Sequence, residues 1–224
     1  MNTTKLFVNA IVKYLSGFIL IAVLLFVPAG SLNFIKGWIF IGLLFVPMLI
    51  LGIFLFIKAP QLLEKRLSAK EKENTQKGVV IFSFLMFVAG FVTAGLDYRF
   101  GWSKVPFAVT IISGIVLLLS YGLYARVMKE NAYLSRTVEI QNNQKIIDTG
   151  LYGIVRHPMY TATILLFLSM PLVLGSWFAL ILFLPYPFVI AIRIKNEEKV
   201  LEAGLPGYCE YKQKVRWRII PFVW

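Results

Sequence analysis

The sequence is poor in the residues that build metal centres and disulfides. Among 224 residues there is one cysteine, Cys209, and one histidine, His157. A single cysteine excludes an internal disulfide and a four-cysteine zinc site, and a single histidine argues against a histidine-rich zinc or di-iron centre. Charge is scarce as well. Only 15% of the residues are charged, and 11 acidic residues face 23 basic ones. A soluble domain carries roughly 25% charged residues. No Gly-x-Gly-x-x-Gly follows a strand-like run, no Walker loop occurs, and no His-Glu-x-x-His is present. Soluble dinucleotide, P-loop and zincin chemistries are thereby set aside. No serine stands in a nucleophile-elbow context, and no repeat or low-complexity tract is found. The first apolar run is long enough to span a membrane and has no clear small-residue cleavage site after it, so it reads as uncleaved.

What the chain has in excess is apolar surface: 58% of its residues are hydrophobic, with a mean hydropathy of +0.76. This excess is gathered into runs near the ~20 residues that a bilayer core requires. Four runs, about Phe7–Pro28, Trp38–Ile57, Val79–Leu96 and Val105–Ala125, each suit one crossing. A fifth, Tyr160–Ile192, is too long for one crossing at ~1.5 Å per residue against a core of ~30 Å. It reads as a helical hairpin, interrupted at Pro171 and turning near Leu174-Gly175-Ser176, with Pro185 and Pro187 kinking the returning arm.

Basic residues supply an orientation. With a cytoplasmic N-terminus, 20 of the 23 lysines and arginines fall in cytoplasmic segments, and only Lys36, Arg99 and Lys104 lie outside. Such an asymmetry follows the positive-inside rule. The net charge of +12 therefore reads as membrane topology and contact with anionic headgroups, and no nucleic-acid module is present. Lys13 is close enough to the start of the first run to snorkel. Between Lys58 and Lys77, Leu62, Leu63 and Leu67 stand among charges after Pro60, which reads either as an interfacial amphipathic helix or as a solvated connector.

Three segments offer chemistry. The first passes from a polar loop (Gln141, Asn142, Asn143, Gln144) through Ile146 and Ile147 to Gly150. It then enters the membrane as Tyr152, Arg156, His157, Pro158, Met159 and Tyr160. Proline suits a first helical turn, but an Arg-His pair there opposes the helix dipole. That conflict marks either a functional site or an anchor at the membrane surface. In the second segment, Arg193 and Glu197 stand four apart on one helix face, followed by Glu198. The hairpin brings this pair back beside His157, where convergent polar groups over an apolar cavity make a small-molecule site. The third segment places Tyr208, Tyr211 and Val215 on one face of a basic, aromatic stretch.

The ordered set Gly150-Leu151-Tyr152, Arg156-His157-Pro158-Met159-Tyr160, Glu197-Glu198, Leu201 and Gly207-Tyr208-x-x-Tyr211 resembles the membrane-embedded methyltransferases. These form the isoprenylcysteine carboxyl methyltransferase and phospholipid N-methyltransferase superfamily. The likeness covers about residues 137–221, and residues 59–66 look like a connector of its prokaryotic members. It implies S-adenosylmethionine as cofactor, held by Gln141, Gln144, Lys145, Ile146, Ile147, Tyr152, His157, Pro158, Met159 and Tyr160. It implies that Arg193 and Glu197 face the methyl acceptor. Arg156 is the further catalytic candidate, with Glu198, Tyr208 and Tyr211 in support. This sequence has Gln144-Lys145 where the eukaryotic enzymes commonly have a histidine.

The expectation is an all-α integral membrane protein. It has about four transmembrane helices plus a C-terminal helical hairpin, with cytoplasmic N- and C-termini. Residues 1–125 supply the N-terminal helices and a connector at 58–78. Residues 126–224 supply the cofactor-binding and catalytic region, including the hairpin at 160–192. The membrane is the cell membrane of a prokaryote or the endoplasmic reticulum of a eukaryote, with the site on the cytoplasmic side. The partners expected are membrane lipid and a lipophilic or lipidated acceptor, with no obligatory protein partner. A carboxylate acceptor needs no base and is oriented by Arg193, an amine needs Glu197 or Glu198 as base, and a thiol needs thiolate stabilisation by Arg193 or Arg156. Two rivals stand. NADPH-dependent sterol reductases share a similar hairpin and an ending like Arg218-Ile219-Ile220-Pro221, but have more spans; a non-catalytic membrane scaffold is the other.

Overall fold

A computed structural model describes residues 2–67, 74–135, 137–138, 140–141 and 143–224, the side chains of 74 and 75 excepted. Among these residues there are nine α-helices, one 3₁₀ turn and no strand. Each apolar run is the centre of a longer helix: α1 Thr3–Ala29, α2 Ile35–Lys58, α4 Asn74–Phe100 and α5 Phe107–Glu130. Between α2 and α4 lies the short helix α3, Pro60–Leu67; the rest of the expected 58–78 connector includes residues 68–73, outside the described residues. At ~1.5 Å per residue, α1 and α4 exceed a ~30 Å core, so their ends reach the interface or the helices tilt.

The hairpin forms as α6, Pro158–Leu174, followed by α7, Trp177–Phe183, and α8, Tyr186–Gly204. Its turn is made by Gly175 at φ +79°, a left-handed conformation that glycine adopts without a Cβ penalty. Ser176 then caps α7 by accepting from the Ala179 N–H at 3.0 Å. Pro171 does not interrupt α6; the helix runs through it to Leu174, with Pro171 fully buried. Such a proline is tolerated where packing against neighbouring helices compensates for the missing hydrogen bond. The break falls where Pro185 and Pro187 predict it, between α7 and α8.

Five helical stretches are long and apolar enough to cross a membrane, with the shorter α6 beside them. Their outward side chains are apolar: Ile19 and Val27 on α1, Ile50 and Ile57 on α2, and Ile112 and Leu119 on α5 are all exposed. A surface of this kind is stable in lipid and aggregates in water. Inside, α5 packs along α6, α2 lies on α5 and α6, and α4 lies on α1, α7 and α8. An aromatic nucleus joins Phe87, Phe91, Phe167, Phe183 and Tyr186, with ring centroids 4.7–6.2 Å apart.

Two polar devices fix the ends. At the hairpin turn, Asp97 is buried and accepts from the Ser103 N–H at 2.7 Å, the Ser103 hydroxyl at 2.6 Å and the Ser176 hydroxyl. Ser103 also accepts from the Trp177 N–H at 3.0 Å. The α4–α5 connection is thereby tied to the hairpin. At the opposite end, Leu62 and Leu63 of α3 are buried against Leu6, Leu55, Val127, Tyr152 and Met159. The leucine face that suits an interface in sequence is spent covering the bundle, and Lys13 donates to the Leu67 carbonyl at the helix end.

Candidate active site

Near Gly150 the chain must turn sharply to bring the loop after α5 back to the membrane. Gly150 adopts φ +58°, and a Cβ there would sit 2.6 Å from the Glu130 carboxylate. Glu130 uses the space to accept from the Leu151 N–H at 2.9 Å and from Arg126 Nε at 2.7 Å. The 3₁₀ turn Gly150–Gly153 follows and leads to Arg156 and His157, which sit just before the first residue of α6.

Arg156 is a clamp. Its Nε and Nη2 donate to Glu198 Oε1 at 2.8 Å, and its Nη1 donates to the carbonyls of Val215 (2.6 Å) and Arg216 (2.8 Å). Glu198 also faces His157 Nε2 at 3.3 Å and accepts from Arg218 Nε at 2.9 Å. The Arg156 and Glu198 side chains are each 3% exposed, so a carboxylate of α8 is compensated by two guanidinium groups. Buried charge is tolerated when it is paired and hydrogen-bonded in this way. The backbone completes the joint, with the Arg156 and His157 N–H groups donating to the carbonyls of Trp217 (2.9 Å) and Arg218 (2.8 Å). The conflict with the helix dipole at Arg156-His157 is thus offset by Glu198.

One turn further along α6, Tyr160 bridges the pair on α8. Its hydroxyl donates to Glu197 Oε2 and accepts from Arg193 Nε at 2.9 Å. The i, i+4 spacing of Arg193 and Glu197 therefore serves a three-residue unit whose centre comes from the other arm of the hairpin. Gln76 of α4, fully buried, reaches the Arg193 carbonyl at 3.2 Å and docks α4 on this part of α8.

This unit faces a cavity of about 950 Å³. Its polar wall includes Asn131, Tyr133, Ser135, Thr137, Gln144 and Lys145, with Arg66 from α3; Ile146, Ile147 and Met159 add apolar surface there. Its apolar wall comes from α2 (Met48, Leu51, Gly52, Leu55) and α4 (Val80, Ile81, Phe84, Phe87). Among the described residues that line it, Glu197 is the acid, against Arg66, Lys145, Arg156 and Arg193.

Residues 107–205 match the phospholipid methyltransferase family. The matched family lies in the membrane methyltransferase superfamily of isoprenylcysteine carboxyl and phospholipid methyltransferases, the match covers less than half of the chain, and the apolar helical stretches fit a multi-pass membrane protein. A search of curated proteins found no match to the chain. The matched segment runs from the start of α5 through the hairpin to the end of α8, so it contains the Tyr160–Arg193–Glu197 unit and the Arg156–Glu198 clamp.

Within the matched segment, Gln144, Lys145, Ile146, Ile147, Tyr152, Arg156, His157, Met159, Tyr160, Arg193 and Glu197 line the cavity; Tyr208 and Tyr211 line it from beyond the segment. Three of the candidate site residues do not line it. Gln141 is turned to structural work, accepting from Lys65 Nζ, donating to the Tyr133 carbonyl and offering its N–H to Gln144 Oε1 at 2.9 Å. Pro158 is buried at the first turn of α6, and Glu198 lies behind the wall in the clamp. Tyr211 donates to the Tyr152 carbonyl at 2.7 Å, which seats α9 (Tyr208–Lys214) on the 3₁₀ turn. The hydroxyl of Tyr208 is buried with no partner among the described residues. Burial, then the charge of Glu198, pushes its pKa well above the ordinary phenol value, so it stays a proton donor.

Sequence reasoning missed the wall of Asn131, Tyr133, Ser135 and Thr137 and the contribution of α3. Nothing in a single sequence separates Tyr133, Ser135 and Thr137 from an ordinary polar loop. Arg66 carries more of a signal: it follows buried Leu62 and Leu63 at helical spacing, and its guanidinium lies 5.3 Å from the Tyr124 ring.

Proposed function

We propose that the chain transfers a methyl group from S-adenosylmethionine to a lipophilic acceptor, with a lipid-linked carboxylate of the isoprenylcysteine type as the first choice. The observation that carries this reading is a single cavity that joins a polar wall, the Tyr160–Arg193–Glu197 unit and an apolar wall from α2 and α4. Its volume of about 950 Å³ lies at the upper end of the ~300–1,000 Å³ range of small-molecule pockets, which leaves room for both a donor and an acceptor headgroup.

The residues present fit the cofactor. Gln144, Lys145 and Asn131 offer hydrogen bonds to its amino-acid and ribose groups, and Ile146, Ile147 and Met159 offer apolar contact to its base. Tyr208 lines the same cavity, with a buried hydroxyl that has no partner among the described residues. When bound, the cofactor supplies an electrophilic methyl on a sulfonium; its carbon–sulfur bond breaks as the bond to the acceptor forms, and a neutral thioether leaves.

The protein's part is alignment and exclusion of water. Arg193, fixed through Nε by Tyr160, orients an acceptor carboxylate, and the cationic surplus of the wall favours an anionic headgroup. Glu197 holds Tyr160 in place; for an amine acceptor, as in a phospholipid headgroup, it is the base. A small thiol is the third acceptor class. Arg156 acts by positioning, because its guanidinium is committed to Glu198 and two carbonyls. The tail of the acceptor enters between α2 and α4 from the bilayer. The site is on the cytoplasmic side, as the basic residues indicate.

Calorimetry on detergent-purified protein tests the cofactor. Binding of S-adenosylmethionine with no heat from NADPH is the expected result; the reverse would support the sterol-reductase reading, and silence with both ligands would support a non-catalytic scaffold.

A further inference from the structure

Residues 219–224 form a compact turn in which Ile219 is buried, Trp224 packs on the core, and Ile220, Phe222 and Val223 point away from the protein. The N–H groups of Arg218, Ile219 and Ile220 converge on the Trp224 carbonyl at 2.9, 3.0 and 3.2 Å. The tip is Phe222, a non-glycine residue at φ +64°. Phe222 is 86% exposed, Val223 71% and Ile220 47%. An apolar tip in a left-handed conformation is an odd thing to present to water, since both the backbone and the side chains are unfavourable there.

The position of the turn says what it meets. Residues 217–219 run beside the start of α6: Arg156 and His157 donate to the Trp217 and Arg218 carbonyls, and Thr161 Oγ1 donates to the Ile219 carbonyl at 2.8 Å. From 156 to 161 the chain leads into the bilayer as the start of α6, so from 217 to 219 it descends alongside. Pro221 and Ile219 meet Leu123 of α5 and Pro158 and Thr161 of α6 around a small apolar cleft of about 170 Å³. The flank is cationic, with Lys214, Arg216 and Arg218 within five residues, and aromatic. Trp217 lies 5.6 Å from Phe222, and the Arg218 guanidinium lies 5.1 Å from the Trp224 ring. Basic residues suit lipid phosphates and tryptophans suit the interface.

We propose that residues 219–224 are a second, non-spanning membrane contact, in which Phe222, Val223 and Ile220 are immersed at the hydrocarbon edge beside α6 while the exposed Arg216 on the same flank takes lipid phosphates. The occupant is the same bilayer that the helices cross, continuous with the lipid-facing surface of α5. Because Arg218 also bonds Glu198, seating the turn in lipid holds the Arg156–Glu198 clamp from below.

The test uses the unaltered chain in vesicles of phosphatidylcholine and phosphatidylglycerol that contain a phospholipid with a photoreactive group near the top of its acyl chain. Trypsin cuts after Arg218 and separates the peptide that begins at Ile219 from the rest of the chain. The expected result is a lipid adduct on this peptide, comparable with those on peptides from α1 and absent from the α9 peptide around Tyr208. Adducts on α1 peptides with none on 219–224 would overturn the proposal. An independent reading comes from Cys209→Ser with Phe222→Cys carrying a fluorophore, against native Cys209 carrying the same label. Quenching by lipid-borne nitroxide should be several-fold greater at 222, and iodide quenching several-fold weaker. Equal iodide quenching at the two positions would contradict it.

Discussion

Single residues separate into those that hold the site and those that face its contents. Glu198 belongs to the first group. Removing one member of a buried ion cluster leaves uncompensated charge, at about 3–5 kcal/mol, so Glu198→Ala should lower the Tm of the detergent-purified protein by many degrees. Asp148 gives the contrast. Lys214 Nζ lies 2.7 Å from its carboxylate, and that hydrogen bond, with the charge, holds the Asp148 pKa below its ordinary value. A depressed folded-state pKa means that this pair contributes above the unfolded pKa and fades as pH falls through the folded one. Both side chains are exposed, and exposed pairs contribute little. Asp148→Asn should therefore leave the Tm at pH 7 unchanged, and a thermal scan checks both variants together. In the second group, His157→Ala should abolish cofactor binding by calorimetry. Arg193→Ala should keep binding and lose turnover. If both variants bound cofactor and turned over normally, the placement of the site would be wrong.

At the scale of elements, the turn at Gly150 and the Asp97 knot set where the hairpin lies. Gly150→Ala places a methyl group against the Glu130 carboxylate at positive φ, and strain of this kind costs about 1–3 kcal/mol. The expected outcome is a lower Tm with a weakened affinity for cofactor, since residues 143–147 lead directly into the turn. Asp97→Ala strips three donors of their acceptor, worth about 1.5–3 kcal/mol for each charge-assisted bond that stays unmade. It lies far along the hairpin from the site, so it should lower the Tm and leave the affinity unchanged. The hairpin itself was legible in the sequence, because thirty-odd apolar residues broken by Gly175 and by Pro185 and Pro187 have few other solutions. Pro171 misled because proline breaks a helix in water, whereas here buried packing holds the helix together. The face of α3 was legible, but not what it covers, since leucines at helical spacing fit a protein surface and a lipid surface equally.

For the whole molecule, composition alone carried the membrane assignment, and five spanning helical stretches with outward isoleucines, valines and leucines agree with it. The site was legible in part. Arg193 and Glu197 were visible as a helical pair, but Tyr160 as their bridge was not, because the contact depends on how the two arms of the hairpin register. The role of Glu198 was hidden for the same reason: its partners lie 42 and 20 positions away in the chain. The walls from α2 and α4 give no chemical signature in sequence, although they make the cavity open to a lipophilic acceptor.

The central claim is methyl transfer at the Tyr160–Arg193–Glu197 unit. Its most direct measurement incubates purified protein, S-adenosylmethionine labelled in the methyl group and total membrane extract, and then follows the label. Label is expected in a lipophilic product, base-labile if it is a carboxyl ester, with at least a hundredfold loss in Arg193→Ala. Unlabelled extract from wild-type protein that demonstrably binds the cofactor, or equal labelling by Arg193→Ala, would contradict it.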